Sequence, residues 1–253
     1  MQKTKAIIFS LIWALVVIAF PVVSGVIVVA GKADAVTSRL IQAAFMYISA
    51  VVPFIYCKIK RISPREIWLA GIDKKGVKKC LFYIPLMAIL APMMIAGVNL
   101  SNAGYIMATL LFTLGVGIAE ELYFRGIILR LLRRNFSALG AVFLSALIFG
   151  GGHASGAFVE SNPVMVLLSI LNAFLFGWVA AEIALMTKNI IPLMIFHCLF
   201  DFFTYQMLAS GKETVIIYAV RGTMMTIAAF YLLMKSKSSL EISTPPQNPP
   251  PAP

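Results

Sequence analysis

Two adjacent acids and an arginine, Glu120, Glu121 and Arg125, stand in an apolar stretch that runs from Tyr105 to Leu132. The chain has two histidines, His153 and His197, and the second is followed at a spacing of four by Asp201. Carboxylates and imidazoles are the groups that take up and release protons near neutral pH, activate water or hold a divalent metal, so chemistry is to be sought at these positions. Inside a membrane each charge costs about 2.5–3.5 kcal/mol on insertion scales and has to face a protein interior or a watery cavity.

On a helix Glu121 and Arg125 lie four residues apart with the acid N-terminal, the favoured orientation for an ion pair, and they read as a structural pair. Glu120 points about 100° away around the same helix and has no local counter-ion, so it is the group left for chemistry. His197 and Asp201 share one helix face, as two jaws of one metal or water site or as a simple histidine–aspartate pair. His153 follows Gly150, Gly151 and Gly152. Such a run permits close helix approach and makes a break in the helix easy. Cys198 adjoins His197, but neighbouring helical residues diverge, which argues against a Cys–His nucleophilic pair. With Cys57 and Cys80 it gives an odd number and no disulfide framework.

The elements that must position these groups are membrane helices. With 253 residues, 60% hydrophobic and 12% charged, and a mean hydropathy of +0.93, the chain lies far from the make-up of a soluble domain. An all-α polytopic membrane protein is expected. Apolar runs long enough to cross a hydrocarbon core, about 20 residues each, fall at Ala6–Val29, Ala35–Tyr56, Cys80–Val98, Tyr105–Leu132, Ser137–His153, Pro163–Met186, Ile190–Ala209 and Thr214–Met234. That makes eight spans. With the N-terminus inside, sixteen of the twenty-one Lys and Arg residues fall on the cytoplasmic side and three (Lys32, Arg39, Lys212) outside, while Arg125 and Arg221 lie within spans. Both termini are therefore expected in the cytoplasm. The net charge of +11 needs no nucleic acid to explain it, because basic loops attract anionic headgroups.

Counted from the cytoplasmic helix ends at 1.5 Å per residue, Glu120, His153, His197 and Asp201 lie about 18, 24, 10 and 16 Å deep, a band from which they can converge. Arg221 at comparable depth is a candidate counter-ion for Asp201 or Glu120. Glu182, about one turn from a cytoplasmic end, is read as structural and within reach of the interface. The basic N-terminal segment and Ala33-Asp34-Ala35 resemble a signal peptide, but the apolar region is too long for one and a retained first helix is expected. Ser63-Pro64-Arg65-Glu66, in the polar segment Lys58–Lys79, reads as the start of a short amphipathic helix on the cytoplasmic surface. The Pro-rich tail cannot form a core and is expected to be disordered. The chain divides into residues 1–103 (three spans and a basic loop), 104–209 (a four-helix catalytic core), 210–236 (a last span) and 237–253 (the tail).

Glu-Glu-x-x-x-Arg at Glu120–Arg125, Phe-x-x-x-His at Phe149–His153 and His-x-x-x-Asp at His197–Asp201, in this order and on separate helices, resemble the signature of the CAAX protease and bacteriocin-processing enzyme family, membrane-embedded peptidases that include the type II CAAX prenyl endopeptidases. The resemblance covers roughly Gly104 to Tyr205. It implies hydrolysis of a peptide bond of a membrane-associated protein or peptide, prenylated in the best-known relatives, in a prokaryotic cell membrane with the site reached from the cytoplasm. It implies that Glu120 and His153 hold and deprotonate a water and that His197 with its i+4 partner stabilises the oxyanion.

Family members often carry asparagine where this chain has Asp201, and an ionised aspartate only accepts hydrogen bonds. Asp201 is then protonated, or orients His197, or marks a different mechanism in which Glu120, His153, His197 and Asp201 hold a divalent metal such as zinc. The chain lacks the His-Glu-x-x-His sequence common on zinc-protease helices, and the metal-free glutamate mechanism is preferred. Outside catalysis, the same residues suit a peptide-binding, immunity or scaffold protein. A proton-coupled transporter is a further alternative, against which stands the lack of paired half-repeats.

Overall fold

In hydrocarbon every backbone N–H and C=O has to be satisfied within the protein, which leaves these long Leu-, Ile-, Val- and Ala-rich runs no conformation but helix. The computed structural model describes residues 3–69, 83–158 and 160–240. Within them the chain is helical, with no strand beyond one isolated bridge between Val98 and Met207. Helix α1 spans Lys3–Ala30 and α2 spans Ala35–Ile59. Two short helices follow, α3 (Ile84–Ala88) and α4 (Ala91–Ile95). Helix α5 (Ala103–Glu121) runs without interruption into a π-helical segment, Leu122–Ile128, and then into α6 (Leu129–Arg133). The bundle is completed by α7 (Ala138–Gly152), α8 (Pro163–Thr187), α9 (Ile191–Gln206) and α10 (Lys212–Leu240).

Starts are set by side chains that accept otherwise unpaired N–H groups. Asp34 accepts from Val36 N at 2.9 Å before α2, and Asn102 accepts from Tyr105 N at 2.9 Å before α5. Helix α5 packs between α2 and α9, and α8 between α7 and α10. The apolar side chains left outside, among them Leu15, Val26, Ile227 and Phe230, each more than 60% exposed, form the surface that lipid covers.

Six helices among the described residues are long and apolar enough to cross a membrane: Lys3–Ala30, Ala35–Ile59, Ala103–Arg133, Ala138–Ala157, Pro163–Thr187 and Lys212–Lys235. Two of the eight expected spans differ. The described part of the third is broken into α3 and α4, each with a proline in its first turn, where the missing N–H interrupts the helical ladder. The seventh is the 16-residue α9, about 24 Å long.

The short helix expected at Ser63 is also different. It is a single 3-10 turn, Pro64–Ile67, with Trp68 left-handed at φ 61°. Instead of lying on headgroups, Ile67 is 1% exposed and faces Gly126 in the π segment, and Glu66 accepts from Arg130 Nη2 at 2.6 Å. A hydrogen bond from the Ser63 backbone, with the Arg130 charge behind it, holds the Glu66 carboxyl below the usual carboxylate range. The remainder of that loop (70–82) and the tail (241–253) lie outside the described residues.

Candidate active site

The site is built where α5 and α9 cross, and small residues set how closely they cross. A Cβ on Gly117 would lie 2.5 Å from Met194 O and 3.1 Å from Cys198 N, so only glycine lets the α9 backbone this near. That brings His197 against the two glutamates. On the other wall a Cβ on Gly150 would lie 3.0 Å from Phe174 Cα, which joins α7 to α8 and seats Phe149 over the site.

His197 is 4% exposed and stands between carboxylates. Its Nδ1 donates to Glu121 Oε1 at 2.9 Å, and the same oxygen accepts from Arg125 Nη1 at 3.0 Å. The expected Glu121–Arg125 pair is thus present, with both side chains fully buried. It does more than the spacing implied, because Glu121 also fixes the tautomer of His197. The Arg125 guanidinium donates to Gly177 O at 3.4 Å and lies 4.7 Å from the Phe149 ring and 5.6 Å from the Phe176 ring. These π faces give a buried cation a second source of stabilisation.

The other imidazole nitrogen, Nε2, faces Glu120 Oε2 at 3.8 Å and Asp201 Oδ2 at 3.6 Å. Both separations exceed a direct hydrogen bond and are of the kind a bridging water spans. Glu120 Oε2 has no protein hydrogen-bond partner. Phe176 packs on the His197 ring at 4.6 Å.

His153 terminates α7 and opens a 3-10 turn, His153–Phe158, where the glycines suggested a break. Its Nδ1 donates to Phe149 O at 3.0 Å, which leaves Nε2 with the lone pair. His153 is within electrostatic range of Asp201 and His197, but no hydrogen bond or ion pair joins it to them. Glu120 and Asp201 thus lie within ion-pair distance of His197, and His153, the fourth expected catalytic side chain, is within electrostatic range.

Two neighbouring expectations fail. Arg221 makes no direct ion pair with Asp201 or Glu120, although it lies within electrostatic range of Asp201: it bonds to Thr204 Oγ1 at 2.9 Å and Met93 Sδ at 3.0 Å, between the Phe200 and Tyr218 rings. Side chains that can accept from or stack on a guanidinium surround this part of α10, and they take up Arg221. Glu182 does not reach an interface, being 1% exposed, because its face of α8 packs inward. Cys198 is buried and points to Thr113 Oγ1 at 3.6 Å, away from His197 chemistry, as helical divergence requires. Spacing carried no sign of the Phe176 wall or of the Glu121–His197 bond, which joins residues 76 apart.

Among the described residues no three His, Cys, Asp or Glu side chains are grouped so as to hold a metal ion. His197 Nδ1 is already committed to Glu121, and His153 Nδ1 to a backbone carbonyl.

A multi-pass helical membrane protein with two imidazoles and two free carboxylates in its interior is, by class, a candidate for proton-transfer chemistry on water. Residues 102–203 match the family model described as type II CAAX prenyl endopeptidase Rce1-like, a segment that holds every site residue named above. The resemblance drawn from the three motifs is borne out over these residues, which are similar to the CAAX protease family, a family of hydrolases. No curated protein matches the chain.

Proposed function

We propose that the protein is an intramembrane endopeptidase that cleaves a peptide bond near the end of a membrane-associated, CAAX-like substrate with a water held by Glu120 and His153. The observation that carries this reading is His197, locked through Nδ1 by Glu121 and presenting Nε2 to Glu120 and Asp201. Glu120, free of any protein partner at Oε2, takes a proton as the water oxygen attacks the carbonyl carbon. Negative charge develops on the carbonyl oxygen and is met by the Nε2–H of a doubly protonated His197, whose positive charge Glu121 and Asp201 balance. Preorganised donors of this kind contribute several kcal/mol. The proton on Glu120 then passes to the leaving nitrogen as the C–N bond breaks, giving a carboxylate and an amine.

Asp201 balances the imidazolium in this scheme and accepts rather than donates, which accounts for an aspartate where asparagine is common. The scheme uses no metal. Residues 104–209 form its catalytic unit, with 1–103 and 210–236 enclosing it.

The placement of the N-terminal helix start supports an orientation. Lys3 lies 5.7 Å from the Phe136 ring and Tyr83 bonds to Asn189 O at 3.1 Å, so the N-terminus, the basic Arg130–Arg134 stretch and the start of α9 share one end. We assign that end to the cytoplasm, with residues 83–98 and α9 completing eight passes. Access from the cytoplasm, expected from the sequence, is then replaced by access from the opposite face. On the basic side of Glu120 every residue from Glu121 to Leu129 is buried, whereas on the other side Tyr205 is 43% exposed and Gly151 and Ala154 are exposed.

The test is mass spectrometry of protein termini in native-host membranes holding wild-type protein or matched folded Glu120→Gln. New termini with wild type alone are expected, with a loss on the order of 10²–10⁴-fold in the variant. Identical termini in both would favour a peptide-binding protein.

A further inference from the structure

Arg39 is half-buried at the open end of the site, in the second turn of α2, and among the described residues it makes no ion pair. Its guanidinium lies 4.0 Å from the Tyr205 ring and 5.1 Å from the Phe112 ring. Nη1 donates to Gln42 Oε1 at 3.0 Å and Nη2 to the Tyr105 hydroxyl at 3.4 Å. These contacts hold the guanidinium in place without neutralising it. A cation so held at the edge of hydrocarbon, with donors to spare, is suited to a planar anion and above all to a carboxylate.

Tyr205 ties this cation to the site. His197, Asp201 and Tyr205 recur at intervals of four on one face of α9, and Tyr205 is within electrostatic range of both Asp201 and Arg39. From the His197 level to the Tyr205 level the helix rises about 12 Å. An extended peptide advances roughly 3.3 Å per residue, so three to four residues cover that distance.

We propose that Arg39, stacked on Tyr205 at the mouth of the cleft, binds the free C-terminal carboxylate of the substrate and sets the cut three to four residues from the chain end. This rests on the peptidase reading and adds to it a specificity residue outside the matched segment, on a helix whose residue pattern carries no sign of chemistry. Placing the carboxylate at the rim keeps a charge out of the hydrocarbon while the scissile carbonyl is drawn down to His197. A peptide lacking that carboxylate would lose the anchor but none of the catalytic groups.

The experiment separates recognition from cleavage. A dansylated S-farnesyl Cys-Val-Ile-Met peptide, a sequence of the prenylated C-a-a-X type, is prepared with a C-terminal carboxylate and as its amide. Binding of each to full-length Glu120→Gln protein in nanodiscs is followed by fluorescence anisotropy. The acid is expected to bind about tenfold or more tighter than the amide, as a charge-assisted bidentate contact requires. Adding Arg39→Gln should bring the acid and the amide to one common affinity, and an unchanged thermal unfolding temperature of the variant in nanodiscs reports an intact fold. Arg39→Lys should restore part of the difference. Equal affinities for acid and amide without the Arg39 change, including no binding of either, overturn the anchor, as does a preference that survives Arg39→Gln. Turnover of the same peptides by wild-type protein is scored separately and bears on the peptidase reading alone.

Discussion

Glu120 and Glu121 are neighbours in the chain with opposite attachments, and the difference decides what removing each charge does. Glu121 Oε1 accepts from both Arg125 and His197 in a fully buried setting. Glu121→Gln leaves a guanidinium without its counter-charge, and breaking a buried pair costs about 3–5 kcal/mol. A clear drop in the thermal unfolding temperature in detergent is expected for Glu121→Gln and essentially none for Glu120→Gln, whose Oε2 has no protein bond to lose. If both variants melt alike, the division of labour between the two acids is wrong. The ion pair could be read from the spacing of four, because a local spacing is a geometric statement about one helix. The bond from Glu121 to His197 could not, since no rule in one sequence says which face of α5 meets which face of α9. For the same reason Arg221 was a fair candidate for Asp201 by depth alone, and its bonds to Thr204 and Met93 were invisible.

Among elements, the crossing of α5 and α9 carries the site. Gly117→Ala puts a methyl group 2.5 Å from Met194 O, a main-chain atom that cannot swing aside. Helix α9 has to move, and His197 with it, by an amount to which catalysis is steep: a misplacement of about 1 Å can cost on the order of 10²-fold in rate. Gly117→Ala is therefore expected to lose peptide cleavage by about that factor while still entering membranes and purifying as a folded protein. Near-normal cleavage by this variant would mean that the helices hold His197 more loosely than their contact implies. The six long helices were legible because twenty apolar residues in a row have few other fates. The broken third span was foreshadowed by Pro85 and Pro92, and the helix break before His153 by three glycines. The surface helix expected at Ser63 was misjudged because its start signal is sound but Ile67 finds a buried seat against Gly126, which a start signal does not encode.

For the whole molecule, basic residues gather at one end, and the proposed function has the site reached from the other. Depth counting along the sequence brought the four groups into one middle band, but it could not tell which side of that band is closed. The closed side is made by tight packing of residues 121–129, a property of tertiary structure. A cysteine at position 205 reports the side directly. In intact cells, Tyr205→Cys made in a Cys80→Ser background should react with a membrane-impermeant maleimide added outside, with Cys57 and Cys198 silent because they are buried. Labelling only after the cells are opened would return the cleft to the cytoplasmic side.

The π-helical segment Leu122–Ile128 bears on how the length of this helix can vary. Hydrogen bonds from i to i+5 take up one residue more per turn than an α-helix does. The helix that carries the glutamates is therefore one residue longer than a regular helix between the same neighbours would be. Deleting a single residue from this stretch need not shear the helix apart, since the ladder can close on regular i to i+4 bonds. Inserting one has no such outlet. The chain is in this sense already at the long limit beneath its two adjacent glutamates, and length changes there are expected to be tolerated in one direction only.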